Sequence, residues 1–194
     1  FDFQEESVIS DMLNVNICPQ VFLSHFLLPK FLRREKRSAI INLSSVFGVD
    51  AIPYFSVYGA TKAFNDVFSH SMHYEYKSKV DVLSVKPLRV ITAQHPEGSR
   101  KTPDQISAEE CAAGIIEKLG RYQDTAGHNR HVFYTWMAST LLPSRMSIKL
   151  RKKLGGMILK SSLQRRQERQ RLENEEDEEE KKEEFAEGEK KKNQ

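Results

Sequence analysis

The mostly apolar run Ala39-Ile40-Ile41-Asn42-Leu43 ends in two serines, Ser44 and Ser45, and a short loop leads from them into a helical pattern carrying Tyr58 and Lys62. The run is rich in apolar and β-branched residues and long enough for a buried strand. The loop holds Gly48 and Pro53, and Ser56 is placed to cap the following helix. From Tyr58 to about Tyr76, Ala60, Phe64, Val67 and Phe68 recur at helical spacing, whereas Asn65, Asp66, Ser69 and His70 face elsewhere. Strand, serine at the strand end, loop, then helix is how an open α/β sheet builds a site at its carboxyl edge. A second alternating run, Val80 to Val85, supplies the next strand.

Residues four apart on a helix share a face, so the Lys62 ammonium can stand near the Tyr58 phenol. A free tyrosine has a pKa of about 10, and only roughly one in a thousand is ionised at neutral pH. Lowering that value by about three units takes roughly 4 kcal/mol of preferential phenolate stabilisation. A unit charge at about 4 Å supplies energy of that order at an effective dielectric near ~20. A tyrosine so tuned exchanges a proton with a reacting oxygen, and Ser45 would donate a hydrogen bond to the same oxygen. Tyr-x-x-x-Lys alone is common on amphipathic helices; the strand, serine and loop before it give the pair its weight.

The stretches I-I-N-L-S-S-V-F-G and Y-F-S-V-Y-G-A-T-K-A-F resemble the active-site region of the short-chain dehydrogenase/reductase family, over residues 11 to about 92 and more weakly to about 163. The resemblance implies the C-terminal part of a Rossmann-type, doubly wound parallel sheet. It implies a catalytic tetrad in which Tyr58 gives or takes the proton, Lys62 acidifies it and holds the cofactor ribose, and Ser45 orients the carbonyl. Asn16, in L-N-V-N-I-C, would help hold a water of the proton relay; Asn14 lies two residues out of register, and an ordinary helix asparagine is the plain alternative. Pro87 would pack on the nicotinamide ring and Thr92 contact the cofactor. Leu88 stands where the family usually has glycine.

Within the family, L-P-K-F-L-R-R-E-K-R-S-A-I-I-N-L-S-S, the helix ending H-x-E-Y-K-S-K-V and the extended basic tail are similar to membrane-bound 17β-hydroxysteroid dehydrogenases and very-long-chain 3-oxoacyl-CoA reductases. This implies hydride transfer between NADPH, in preference to NADH, and a carbonyl on a lipid-like substrate, a 3-oxoacyl-CoA or a steroid. It also implies the cytosolic face of the endoplasmic-reticulum membrane. Family members dimerise through the helix before the strand and the tyrosine helix. The stripe Phe64, Val67, Phe68, Met72 either serves such a homodimer or packs on the sheet, and core packing is the reading adopted.

The family's dinucleotide fingerprint is a glycine-rich turn that sets the phosphates on a helix N-terminus. No such turn occurs here: the glycines are scattered, and Gly155-Gly156 comes far downstream. The expectation is a domain lacking the N-terminal half of its sheet and unable to bind a dinucleotide alone. The alternative to an oxidoreductase is an inactive remnant acting only as an interaction or structural protein.

Three segments follow from composition. Residues 1–130 read as the partial dehydrogenase domain, 131–163 as an apolar and basic amphipathic segment, and 164–194 as a charged low-complexity tail, disordered or a solvated helix. Val15 to Leu32 reads as one long helix, and Ser107 with Glu110 marks a capping box for a helix ending near Leu119 at Gly120. The polar loop Gln94–Lys101 precedes it. Residues 132–138 are apolar and aromatic, stopped by Leu141-Leu142-Pro143, and too short to span a bilayer. Basic residues from Arg145 to Lys160 alternate with Met146, Ile148, Leu150, Leu154, Met157 and Ile158, a pattern that suits either an anionic membrane surface or a helix covering the sheet.

The first 160 residues hold 21 Lys/Arg against 15 Asp/Glu, the last 34 hold 9 against 12, so charge is segregated. The C-terminal Lys191-Lys192-Asn193-Gln194 fits a dilysine retrieval signal. No reader motif accompanies the basic residues, which argues against nucleic acid. Cys18 and Cys111 form no disulfide framework, the six histidines show no ligand spacing, and no metal is expected. His128 and His131 read as surface or substrate-loop residues.

Overall fold

A computed structural model describes residues 4–92, 102–140 and 148–164, with positions 167–168, 171 and 174–175 beyond them. The polar loop after residue 92, the Leu141-Leu142-Pro143 stop, Arg145, Met146 and the charged run past residue 175 lie outside the described residues. Two compact units divide the chain, Phe1–Lys152 and Lys153–Gln194. In the second, residues 153–164 are helical and Arg171 pairs with Glu175 one turn on.

The first unit runs α1 (Glu6–Asn16), α2 (Cys18–Leu32), β1 (Ser38–Leu43), α3 (Ser56–Tyr76), β2 (Val80–Val85), α4 (Ala108–Lys118), β3 (Asp124–Thr125) and α5 (Asn129–Thr140). All three strands are parallel, in the order β1-β2-β3, with Ser38 opposite Val80 and Leu43 opposite Val85. Parallel neighbours need a crossover, and α3 and α4 provide the two. The α/β class and the parallel sheet are those expected from the strand–serine–helix order.

β2 is buried throughout except at Asp81. On one face its Val80 and Val82 join Met72 of α3 in a core flanked by Leu28, Phe31, Ile40, Phe68 and Tyr76. On the other face Leu83 and Val85 are fully buried. β1 is one-sided: Ser38 and Asn42 are buried while Ile41 and Leu43 are exposed.

Three sequence readings are corrected. Val15 to Leu32 is not one helix but two, meeting at Ile17, where φ is −109° and Pro19 has no N–H to continue the ladder. Pro19 sits in the first turn of α2, the position where its missing N–H costs nothing. Ser56 does not cap α3; Phe55 holds that position, without a side-chain cap. The face of α3 against the sheet is also only partly the apolar stripe: Met72 and Phe68 pack in the core, while Phe64 and Val67 do not. Its buried residues are Thr61, Asn65, Ser69 and Met72, while Val67 is 65% exposed and Phe64 is partly exposed, its ring stacked on Phe68.

The reason for that last difference is the strand beneath. Asn42 of β1 donates to Ser69 Oγ at 2.9 Å, and Ser69 donates back to the Asn65 carbonyl at 2.6 Å. Small polar side chains let the helix approach closely while their hydroxyls find partners, Ser69 on β1 and Thr61 on α1. Asn65 is the exception: its amide is fully buried and makes no hydrogen bond among the described residues.

The α4 helix matches its sequence signals. Ser107 and Glu110 form the reciprocal capping box, and Gly120, with φ +75°, ends the helix in the left-handed region. Gly114 faces Gly127, where a Cβ would collide with a backbone carbonyl, so the helix and the turn after β3 meet through glycines.

Candidate active site

Ser45 lies just past the carboxyl end of β1, in extended backbone, and starts a single 3₁₀ turn at Val46–Gly48. Its Oγ accepts the Phe47 N–H at 3.2 Å. That bond orients the hydroxyl and leaves its proton free to donate toward the neighbouring Tyr58 phenol. Tyr58 stands in the first turn of α3, half-buried, with the Phe47 ring edge-on at 6.0 Å between centroids. Burial pushes the phenol above its ordinary range, and the Ser45 hydrogen bond pulls it partly back.

Lys62 follows one turn later on the same face. Its Nζ donates to the carbonyl of Leu43, the last residue of β1, at 3.0 Å, and stands 5.6 Å from the Tyr58 ring centroid. Burial lowers the ammonium's pKa. The spacing argument had the lysine acidifying the phenol. In this arrangement desolvation governs both groups, in opposite directions, and the ammonium is engaged by a backbone carbonyl.

Asn16 ends α1 and reaches the same helix from behind. Its Nδ2 donates to Thr61 Oγ1 at 3.0 Å, and Thr61 in turn donates to the Tyr58 carbonyl at 2.8 Å. Pro87 follows β2, and its carbonyl accepts the Val46 N–H at 3.4 Å, so the turn after β2 lies beside the turn carrying Ser45. Thr92 is exposed, just beyond Val90, which bridges to Ile106. Ser45, Tyr58 and Lys62 thus come together directly, Asn16 through Thr61, and Pro87 through Val46.

Four residues of this neighbourhood were not picked out from the sequence. Ser44 donates to the Lys62 carbonyl at 2.6 Å, and Thr61 joins Asn16 to α3. Gly48 and Gly59 permit the contact between the 3₁₀ turn and α3: a Cβ on Gly48 would lie 2.6 Å from the Lys62 carbonyl carbon, and one on Gly59 2.9 Å from the Phe47 oxygen. The signal was available in the small residues G-A-T between tyrosine and lysine. His131, read as a surface or loop residue, is instead completely buried. An open cleft of about 750 Å³, lined by Arg37, His73, Lys77, Asp81 and Arg121 among others, lies at the opposite, amino-terminal edge of the strands.

The sequence profile of the short chain dehydrogenase family matches residues 1–102, and the chain belongs to that family. It is 35% identical over 146 residues to the very-long-chain 3-oxoacyl-CoA reductase of Macaca fascicularis, covering 75% of this chain and 46% of the relative. It is 37% identical over 131 residues to hydroxysteroid dehydrogenase-like protein 1 of Gallus gallus, covering 65% and 39%. The chain therefore spans about half the length, or less, of the curated relatives it matches. Among solved structures a 7beta-hydroxysteroid dehydrogenase superposes with a TM-score of 0.62 at 23% identity, covering 72% of this chain and 56% of that one. The 3-ketoacyl-(acyl-carrier-protein) reductase of Brucella melitensis, complexed with NADH, gives 0.57 at 16% identity, covering 63% and 57%. At these identities the superpositions speak for the fold.

Proposed function

We propose that this chain carries the proton-transfer half of an NADPH-dependent oxidoreductase that reduces a carbonyl on a lipid-like substrate, a 3-oxoacyl-CoA or a steroid. The observation that carries the reading is the half-buried Tyr58 phenol beside the Ser45 hydroxyl at the end of β1, with the Lys62 ammonium one turn on and 5.6 Å from the Tyr58 ring centroid. The substrate class rests on the names of the relatives, the reductase and the hydroxysteroid dehydrogenase-like protein.

The donor set suits the nicotinamide–ribose end of the cofactor: a hydroxyl, a phenol and an ammonium at one strand end, with the Pro87 turn alongside. Among the described residues, no strand runs into a glycine-rich turn of the kind that cradles the phosphates. When bound, the dinucleotide supplies the hydride. Lys62 would hold the ribose hydroxyls, and Pro87 and Thr92 would border the nicotinamide.

Ser45 donates to the substrate carbonyl oxygen and fixes it beside Tyr58. With its pKa raised, Tyr58 is protonated at neutral pH and acts as the acid, giving its proton to the oxygen as negative charge develops there. This favours the reducing direction. The Lys62 ammonium stabilises the phenolate left behind, and Asn16, held by Thr61, supports the path that returns the proton.

The wider reading follows the same resemblance. Residues 1–130 form the dehydrogenase part, 131–163 an apolar and basic segment, and 164–194 a charged tail. Helical residues 148–164, which interleave basic and apolar side chains, would lie on the cytosolic face of the endoplasmic-reticulum membrane. Among the described residues no helix is long and apolar enough to cross a membrane. The resemblance also implies a homodimer, for which the exposed Phe22 and Phe26 of α2 and Val67 of α3 would be available.

The test places this chain in a protein that also carries a glycine-rich dinucleotide-binding half and compares it with its Tyr58→Phe variant, measuring NADPH oxidation with a 3-oxoacyl-CoA and NADPH binding by fluorescence. The expected result is a fall in turnover of roughly 10²–10⁴-fold, the usual worth of a positioned acid, with binding retained. Undiminished turnover in Tyr58→Phe would remove the mechanism. A parent protein so completed that neither binds NADPH nor reduces the substrate would leave only a non-catalytic interaction role.

A further inference from the structure

His131 is fully buried in the first turn of α5, and no step proposed above uses it. Its Nε2 lies 2.9 Å from the Asp104 carbonyl oxygen. Its Nδ1 lies 3.2 Å from the Leu88 nitrogen and 3.2 Å from the Ala126 carbonyl oxygen. A neutral imidazole has one N–H and one acceptor nitrogen. With the proton on Nε2, the ring donates to Asp104 and accepts from Leu88, and its one unfavourable contact is the Nδ1 lone pair against the Ala126 oxygen. With the proton on Nδ1, the ring would donate to Ala126. It would then set a lone pair against the Asp104 oxygen and an N–H against the Leu88 N–H. The network therefore assigns the neutral tautomer protonated on Nε2.

The reason a side chain is needed there lies in the sheet. Ser84 donates to the Gln123 carbonyl at 3.0 Å and Lys86 to the Thr125 carbonyl at 2.7 Å. The next donor in this two-residue step is Leu88, whose strand partner would be Gly127. But β3 ends at Thr125, and Gly127, at φ +79°, has turned away. The imidazole takes the place of the missing strand carbonyl.

We propose that His131 is a positioning residue: by accepting the Leu88 N–H it fixes the Lys86–Leu88 turn and, through the Pro87 carbonyl bound to Val46, the wall of the site beside Ser45. Its bearing on the cofactor rests on the function proposed above; its hold on the turn does not.

Two substitutions separate the two ring nitrogens. His131→Asn keeps an acceptor near the Nδ1 position, and His131→Gln keeps a donor near that of Nε2. In His131→Gln the Leu88 amide is expected to exchange with solvent at least roughly tenfold faster, as a lost buried partner implies. In a protein that also carries the dinucleotide-binding half NADPH affinity falls with it, and His131→Asn restores both. Unchanged Leu88 exchange in His131→Gln, or the same acceleration in both variants, overturns the proposal, whatever the enzyme's activity. Restored protection in His131→Asn alongside a completed parent protein that binds no NADPH upholds the hold on the turn and removes the enzyme reading instead. Should both variants fail to fold, the imidazole nitrogen shifts of the unmodified protein decide: a protonated Nε2 with a bare Nδ1 supports the assignment, and a protonated Nδ1 refutes it.

Discussion

Gly48 rests directly on the backbone of Lys62, so closely that a Cβ at position 48 would fall 2.6 Å from the Lys62 carbonyl carbon and 2.7 Å from the Ala63 nitrogen. Beside this contact the Ser44 hydroxyl reaches the same Lys62 carbonyl at 2.6 Å. The turn that presents Ser45 and the helix that presents Tyr58 and Lys62 are therefore clamped at one point. The relative placement of hydroxyl, phenol and ammonium depends on that clamp.

Gly48→Ala is thus expected to act on geometry as well as stability. Backbone atoms cannot rotate away as a long side chain can, so relief requires the turn to move off the helix. Overpacking of this kind costs about 1–3 kcal/mol, readable as a lower urea midpoint. If the proposed chemistry holds, turnover falls more than the fraction unfolded accounts for, because the Ser45–Tyr58 bond lengthens. A variant with parental stability and parental turnover would show that the clamp is dispensable.

Thr61 is 1% exposed and its hydroxyl serves two partners, accepting from Asn16 and donating to the Tyr58 carbonyl. Thr61→Val keeps the shape and removes both bonds. The expected loss is about 1–2 kcal/mol, the cost of stranding a buried donor, and Thr61→Ser is expected to recover most of it. Thermal unfolding of the pair measures this. Equal stability of the valine and serine variants would mean that Asn16 finds another acceptor, and α1 would then not be anchored to α3 in this way.

The strand, the serines and the tyrosine helix were legible because each follows from short-range periodicity and from residues close in sequence. The face that α3 turns to the sheet was not, since the reading took apolar residues to be the buried ones. Here Asn42 and Ser69, 27 positions apart, meet across the interface and make a polar row the better fit. The break at Ile17 was readable in principle from Pro19, whose position in a first turn marks a helix start. His131 was not, because its partners Leu88 and Asp104 lie 43 and 27 residues away. The phenol's proton affinity likewise depends on burial against Phe47, which spacing along a helix does not encode.

Burial makes the stability of this fold depend on alkaline pH in two opposed ways. Lys62 has a lowered pKa in the folded chain, so between that value and about 10.4 the unfolded chain binds the extra proton. Stability then rises with pH in that window. Tyr58 has a raised pKa, so above about 10 the folded chain keeps a proton that the unfolded chain has lost, and stability falls. Lys62→Met removes the first effect. The stability gained or lost by that substitution is expected to shift in the parent's favour as pH climbs from neutral toward 10. A difference that stays constant across urea titrations at several pH values would show that the ammonium is not desolvated.

Asp66 of α3 ties the helix to the end of β2. It accepts the Ser84 hydroxyl at 2.5 Å and lies 3.4 Å from Lys86 Nζ, which is also 3.4 Å from Asp124 Oδ2. His70 Nε2 stands 3.3 Å from the same Asp124 oxygen. The Asp66 and Lys86 side chains are only 17% and 18% exposed, so their attraction is screened less than that of a surface pair. Asp66→Asn keeps the size but leaves Lys86 to Asp124, which is more solvated, and about 1–3 kcal/mol is expected to be lost. Lys86→Met alone should also cost stability, by leaving two carboxylates with less cation between them. The double variant is the sharper test. Once the aspartate charge is gone, the methionine places no further charge out of balance, so the two losses should sum to more than the double variant loses. Additivity within about 0.3–0.5 kcal/mol, the behaviour of independent sites, would mean that Asp66 and Lys86 are neighbours without being coupled.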